Sequence, residues 1–355
     1  MIKITCNINT IISLKIIKIE SHPYELKFKQ PFKTAKAYYD YRNGTIIKIF
    51  IDNLIGLGEV APLTGFHQES LLECYYNLEA INQAVNNIDE MTADELFDIF
   101  KLHADGEPSL LFGLQTALFD VLSQKSEMPL NKYLNNNSSN AININGIHGI
   151  HGPDNNFKIM KIKLGYNNIY DDIENMEKIS SLYDVDTQFR IDVNGQLNLT
   201  KAIRFCKSME KFNIEYIEQP LPKDELEDLS ELRMHTDIPI AVDESLDSIK
   251  SAKKIIDSQA ADVFVVKPMI IGDYNIISDI INLAHHNDIK CIITNMLDGA
   301  INRMACIHIA SSNNIKNACG LSADDLFESN IYQTPKIING KLSIPNNNGL
   351  GLIND

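Results

Sequence analysis

Seven short apolar runs recur at regular intervals through the second half of this chain, separated by segments with helical spacing. They are residues 141–147, 157–164, 187–193, 214–219, 238–242, 263–267 and 290–294. Several are almost continuously apolar, as strands covered on both faces must be. That alternation predicts β/α units around a parallel sheet. An eighth short run at 318–321 completes a barrel of the (β/α)₈ type. A doubly wound open sheet is the competing arrangement, disfavoured because no G-x-G-x-x-G follows the first strand.

The first part of the chain has a different rhythm. Residues 13–28 (SLKIIKIESHPYELKF) alternate and are rich in β-branched side chains, 45–52 (TIIKIFID) form a second strand, and 56–62 (GLGEVAP) end a third. Residues 31–43 (PFKTAKAYYDYRN) are polar and aromatic, which predicts a surface loop. A helical stretch runs from about 69 to 101 and another from 109 to 123. Strands followed by helices describe an α+β module. The tract Asn135–Asn140 (NNNSSN) reads as a solvated linker to the barrel.

The whole carries a net charge of −15, with 47 acidic against 32 basic residues. Such a chain lacks the basic excess needed to neutralise nucleic-acid phosphates or anionic membranes. No apolar run approaches the roughly 20 residues of a membrane helix, and the N-terminus does not resemble a signal peptide. The six cysteines form no C-x-x-C pair, which fits a reducing cytoplasm. The expected partner is a small carboxylate, with a homo-oligomer as an option.

Charges close the barrel runs, where an apolar core would not predict them. Lys161 and Lys163 close the second (KIKLG), Asp192 the third (RIDVNG), Glu218 the fourth (IEYIEQPLP), Asp243 and Glu244 the fifth (IAVDES), and Lys267 the sixth (VFVVKP). From Lys163 to Asp192, Glu218, Asp243 and Lys267 the steps are 29, 26, 25 and 24 residues. Each step is one β/α unit, so each residue returns to the same rim, where barrel active sites are built. Three converging carboxylates repel one another unless a cation lies among them, and oxygen-only ligands favour Mg²⁺.

A metal flanked by two amines suits removal of a proton from carbon next to a carboxylate. A lysine acts as base only when neutral, so its pKa must fall from about 10.4. Lys161, on the same strand face as Lys163, is expected to depress it and to touch the substrate carboxylate. With Lys163 and Lys267 on opposite sides, a proton can leave one face and return on the other. That is racemisation or epimerisation.

In order and spacing, these residues resemble the enolase superfamily, and the paired lysines resemble its muconate lactonizing enzyme subgroup. Within it, dipeptide epimerases of the L-Ala-D/L-Glu type are the nearest match, supported by PFKTA, GEVAP and residues 109–130. The resemblance implies an α+β capping domain (1–135) over a modified (β/α)₇β barrel (136–334), with tail 335–355 packing back on the cap. It also implies an L-Ala-L-Glu-like substrate.

Substrate contacts are expected from Lys161, Asn145, Asp298 (TNMLDGA) and Ser322. The amine-binding Asp-x-Asp of the family falls here on Gly320-Leu321-Ser322, with Asp324-Asp325 just beyond. The family's early-loop arginine falls on Ala37, with Lys33, Lys36 and Arg42 close by. Rival readings are an o-succinylbenzoate synthase or muconate cycloisomerase on the same scaffold, and a non-catalytic barrel that binds carboxylates. His148 and His151 are read as loop residues and His285-His286 as a helix terminus. Arg190 either offsets the carboxylates or forms a structural ion pair.

Overall fold

The computed structural model describes residues 13–33, 38–86, 88, 90–153, 157–322 and 326–352. Residues 1–12, Lys36, Ala37 and Asp324-Asp325 therefore lie outside the described residues, as does the Lys33 side chain.

The N-terminal module is an antiparallel sheet of Ile16–Lys33, Tyr38–Ile51 and Leu54–Val60, in that order. Its alternation turns Ile47, Ile49 and Ile51 inward to full burial. The predicted loop at 31–43 is largely strand instead: Phe32 and Lys33 pair with Tyr39 and Tyr38, extending the hairpin. Its aromatic content reflects a pleated surface, which sequence polarity alone concealed. The single helix expected over 69–101 is two, Leu71–Val85 and Ala93–His103, split by Met91–Thr92 pairing with Ser13–Leu14. Ser70 with Glu73 and Thr92 with Glu95 form reciprocal capping boxes, so each helix has its own start signal.

Helix Pro108–Lys125 is buried on nearly every side, from Ser109 through Ser123. It lies so close to strand Leu54–Val60 that a side chain at Gly56 or Gly58 would collide with the carbonyls of Ala117 and Gly113. Two carboxylates lock this layer to the rest. Glu59 accepts hydrogen bonds from the backbone N–H groups of Gly299 (2.7 Å) and Asn302 (3.0 Å), which start helix Ala300–Ser312. An anion there is favoured by unpaired amides and by the helix dipole. Tyr24 donates to the same carboxylate. Asp120 accepts from Leu57 N (2.9 Å) and from Leu350 N (2.8 Å) in the C-terminal tail.

The barrel strands are Gly146–Ile147, Ile159–Lys163, Gln188–Asp192, Ile214–Glu218, Ile240–Val242, Val263–Val266 and Lys290–Ile293. They pair in parallel, each with its sequence neighbour. The predicted run 141–147 divides: Ala141–Asn143 pairs antiparallel with Lys341–Ser343 of the tail, and only Gly146–Ile147 joins the barrel. The eighth position is filled by Cys319 and Gly320, which bridge to Ile144 and Thr294 and so link the first and seventh strands. No α-helix lies among the described residues between the first and second strands.

Replacing Glu59 with Gln turns one acceptor into a donor facing backbone amides, and should cost about 2 kcal/mol, read as a lower urea midpoint. Burial pushes the Asp120 carboxyl up to about 6 from an ordinary 3.8. Between about pH 4 and 6 the folded chain therefore binds more protons than the unfolded one. This contribution to stability falls as pH rises through that window. Urea unfolding across it should show Asp120→Asn lacking that part of the slope, worth at most about 2–3 kcal/mol.

Candidate active site

Asp192, Glu218 and Lys163 end their strands in register, Lys163 beside Asp192 and Asp192 beside Glu218. Asp243 and Lys267 each follow the last residue of theirs. Lys163, Asp192, Asp243 and Lys267, with Lys161, line one cavity of about 770 Å³, and Glu218 lies just behind it against Lys161. Leu63 and Phe66 of the N-terminal module, Ile147, Ile150, Leu297 and Leu326 form its apolar wall.

Lys161 stands between two carboxylates, 2.9 Å from Asp192 Oδ2 and 2.8 Å from Glu218 Oε1. Lys267 is ion-paired to Asp243. Lys163 donates to Asn194 Oδ1 at 3.2 Å. Among the described residues no three acidic, histidine or cysteine side chains form a ready-made cation cage. The two ammonium groups sit on the carboxylates instead.

The electrostatics follow from this crowding. Glu218 is pushed up to about 8, by burial first and then by Asp192 and Asp243 against the pull of Lys161. Burial also pushes Asp192 up, but Lys161 and Lys163 outweigh it and hold the carboxyl below its usual range. Burial pulls Lys161 down, yet Asp192, Glu218 and Asp243 together hold it well above an ordinary lysine. The same competition leaves Lys267 raised by Asp243 and Glu244. Lys161 is expected to lower a neighbour's pKa and to touch the substrate carboxylate; in this structure its ammonium sits on Asp192 and Glu218.

The other expected contacts divide. Asn145 lines the cavity, but its Oδ1 accepts from Arg190 Nη1 at 2.9 Å. Asp298 does not line it. Its carboxylate is turned into the protein, 3.3 Å from Arg42 and accepting from Met296 N. Burial pushes that carboxyl up to about 7. Ser322 is fully buried and also off the cavity wall. Asp298 is expected at the site from its loop, TNMLDGA, and Ser322 from its place after Gly320, and neither reaches the cavity wall. Arg42 is likewise committed, to Asp298 and to the Leu297, Asn43, Pro62 and Ala61 carbonyls.

Arg190 belongs to the structural alternative. It pairs with Glu215 at 2.7 Å, donates to the Ala318 carbonyl and stacks on Tyr216, below the carboxylates. His148 meets Tyr183 and lines the cavity, while His151 accepts from Ile147 N. His285 and His286 end helix Tyr274–His286 as expected.

Sequence reasoning passed over Gln219 and Asn194. Gln219, at φ +39°, is buried and accepts from Asp243 N and Ser245 N, fixing the fifth strand's end against the fourth. Asn194, at φ +47°, links Lys163, Tyr166 and Glu244. Polar residues one and two positions after the strand-end acids are the available signal.

Residues 151–355 match the family model described as enolase C-terminal domain-like, and residues 18–121 match the MenC N-terminal domain. Among curated relatives, the L-Ala-D/L-Glu epimerase of Bacillus subtilis is 24% identical over 96% of this chain and 97% of its own. The N-succinyl-L-Arg/Lys racemase of Bacillus cereus is 24% identical over 91% and 92%. The solved dipeptide epimerase from Enterococcus faecalis V583, complexed with Mg and the dipeptide L-Leu-L-Tyr, superposes with a TM-score of 0.86. Its identity is 22%, and the match covers 95% of this chain and 99% of that one. This likeness shows the fold.

Gly320 occupies the position where an amine-binding aspartate was expected, and a Cβ there would lie 2.8 Å from Thr294 Oγ1. Gly320→Asp should therefore destabilise the protein by about 1–3 kcal/mol. Adding Thr294→Ala should recover part of that loss, measured by thermal unfolding of both variants.

Proposed function

Because the chain belongs to the enolase C-terminal domain-like family, we propose that it is a Mg²⁺-dependent dipeptide epimerase. It removes and returns the proton α to a carboxylate of an L-Ala-L-Glu-like substrate. One observation carries this reading: Lys163 closes strand two and Lys267 directly follows strand six, on opposite sides of a mouth that holds Asp192 and Asp243, with Glu218 beside Asp192. The curated relatives point the same way.

The donor set fits a hard divalent ion. It is oxygen only, Glu218 is driven toward protonation by burial and then by Asp192 and Asp243, and the adjacent Glu244 has its Oε2 buried with no hydrogen-bond partner among the described residues. Asp192, Glu218 and Asp243 would hold the ion as the Lys161 and Lys267 ammonium groups turn aside. When bound, it supplies positive charge to a substrate carboxylate whose α-proton is leaving.

The chain's own residues do the rest. With the carboxylates neutralised, the pull that raises Lys267 is lost, and burial favours its neutral amine. Lys163 and Lys267 then face the α-carbon from opposite sides, one taking the proton and the other giving one back. Lys161, freed from its ion pairs, holds the substrate carboxylate, and Asn145 borders it. Leu63, Phe66, Leu297 and Leu326 enclose the remainder and exclude water from the carbanion-like centre.

The same reading includes a division near residue 135 between module and barrel, and a cytoplasmic location without nucleic-acid or membrane partners. Five described cysteines are free and buried, which suits a reducing compartment. No helix among the described residues is long and apolar enough to cross a membrane.

Incubation with Mg²⁺ and L-Ala-L-Glu in D₂O should place deuterium at the glutamate Cα, followed by NMR. At early times Lys163→Ala should lose exchange chiefly from one epimer and Lys267→Ala from the other. If no member of a broad panel of dipeptides and N-acyl amino acids exchanges, the reading is wrong.

A further inference from the structure

We propose that Asn194 is a positioning residue for Lys163, so that it governs proton transfer on one face of the substrate and not the other. This rests on the reading of Lys163 as one of two acid/base groups.

The carboxamide of Asn194 is used from both ends. Its Oδ1 accepts from Lys163 Nζ at 3.2 Å and from the Tyr166 hydroxyl at 2.6 Å, and its Nδ2 donates to Glu244 Oε1 at 3.1 Å. Its backbone N–H donates to Asp192 Oδ1 at 3.1 Å. The side chain is thus held by two neighbours while it holds the lysine. A long side chain at the cavity mouth has many rotamers, and an acceptor that is itself held by two neighbours keeps Nζ aimed.

Lys267 is placed differently. It sits on Asp243, and no hydrogen bond joins it to Asn194. The Asn194 amide therefore reaches Lys163 and not Lys267. The backbone of Asn194 adds a second reason for the residue type. At φ +47° asparagine is among the few non-glycine residues tolerated. Position 194 thus supplies both the left-handed turn and the amide that reaches back to strand two.

The conformation also provides a clean test. Asn194→Gly deletes the amide while suiting the positive φ better than asparagine does. The variant should keep its thermal midpoint within a few degrees. In D₂O with Mg²⁺ and whichever dipeptide the wild type exchanges, it should slow early deuterium uptake from the epimer that Lys163→Ala impairs. The expected drop is roughly three- to tenfold, the range of one lost hydrogen bond, with the other epimer changed by less than half that factor. Tyr166→Phe should move the same ratio in the same direction by a smaller factor. An equal loss from both epimers, with the fold intact, overturns the inference while leaving the epimerase reading standing. Absence of any exchange in the wild type removes both.

Discussion

Everything at the barrel mouth answers to the mutual repulsion of three carboxylates set on adjacent strands. Asp192, Glu218 and Asp243 are each nearly inaccessible to water, so their charges are weakly screened. The fold accepts this arrangement because Lys161 and Lys267 lie directly on it, and because Arg190 below is paired elsewhere and leaves the mouth to the lysines. Even so, Glu218 remains strongly displaced from an ordinary glutamate. A structural core would have no use for such a cluster, since apolar residues of the same volume would cost less. Its persistence at a cavity is what makes the site readable as one built for an added cation.

The N-terminal module contributes to that site without supplying any of its charged groups. Leu63 and Phe66 enter the cavity wall, and Arg42 fastens the loop after the seventh strand by its carbonyl and by Asp298. Glu59 begins the last barrel helix from outside the barrel. The module and the barrel therefore share hydrogen-bonded elements, and a change in one is felt as a change in the shape of the mouth. In the proposed reaction the remainder of the substrate meets this shared wall, while the proton passes at the strand ends.

The sequence was most informative where a residue's position is dictated by periodicity. Strand-end charges separated by one β/α unit return to the same rim whatever the loops do, so Lys161, Lys163, Asp192, Glu218, Asp243 and Lys267 could be placed together by spacing. The eighth run was also visible. What could not be read lay in segments without a period. Asp298 and Ser322 sit beyond strand ends where the chain turns, and counting cannot tell which way a loop side chain points. Residues 31–43 read as a loop because aromatic and polar residues suit both a loop and a hairpin end, and pairing of Phe32 and Lys33 with Tyr39 and Tyr38 decides for the hairpin. The split near Met91 was legible after all, in the spacing of Thr92 and Glu95, but a helical average over the whole stretch hid it.

The barrel is closed by a stave only two residues long. Cys319 and Gly320 join the first and seventh strands through a few backbone hydrogen bonds, where every other neighbouring pair has at least a two-residue ladder between named strands. Cooperative structures loosen first where the fewest bonds cross. This seam runs beside Asn145 and Thr294, at the edge of the cavity, so the thinnest joint of the ring is also a wall of the chamber. The charged strand ends lie on staves two to six, so none of them borders this joint, and their register does not depend on it.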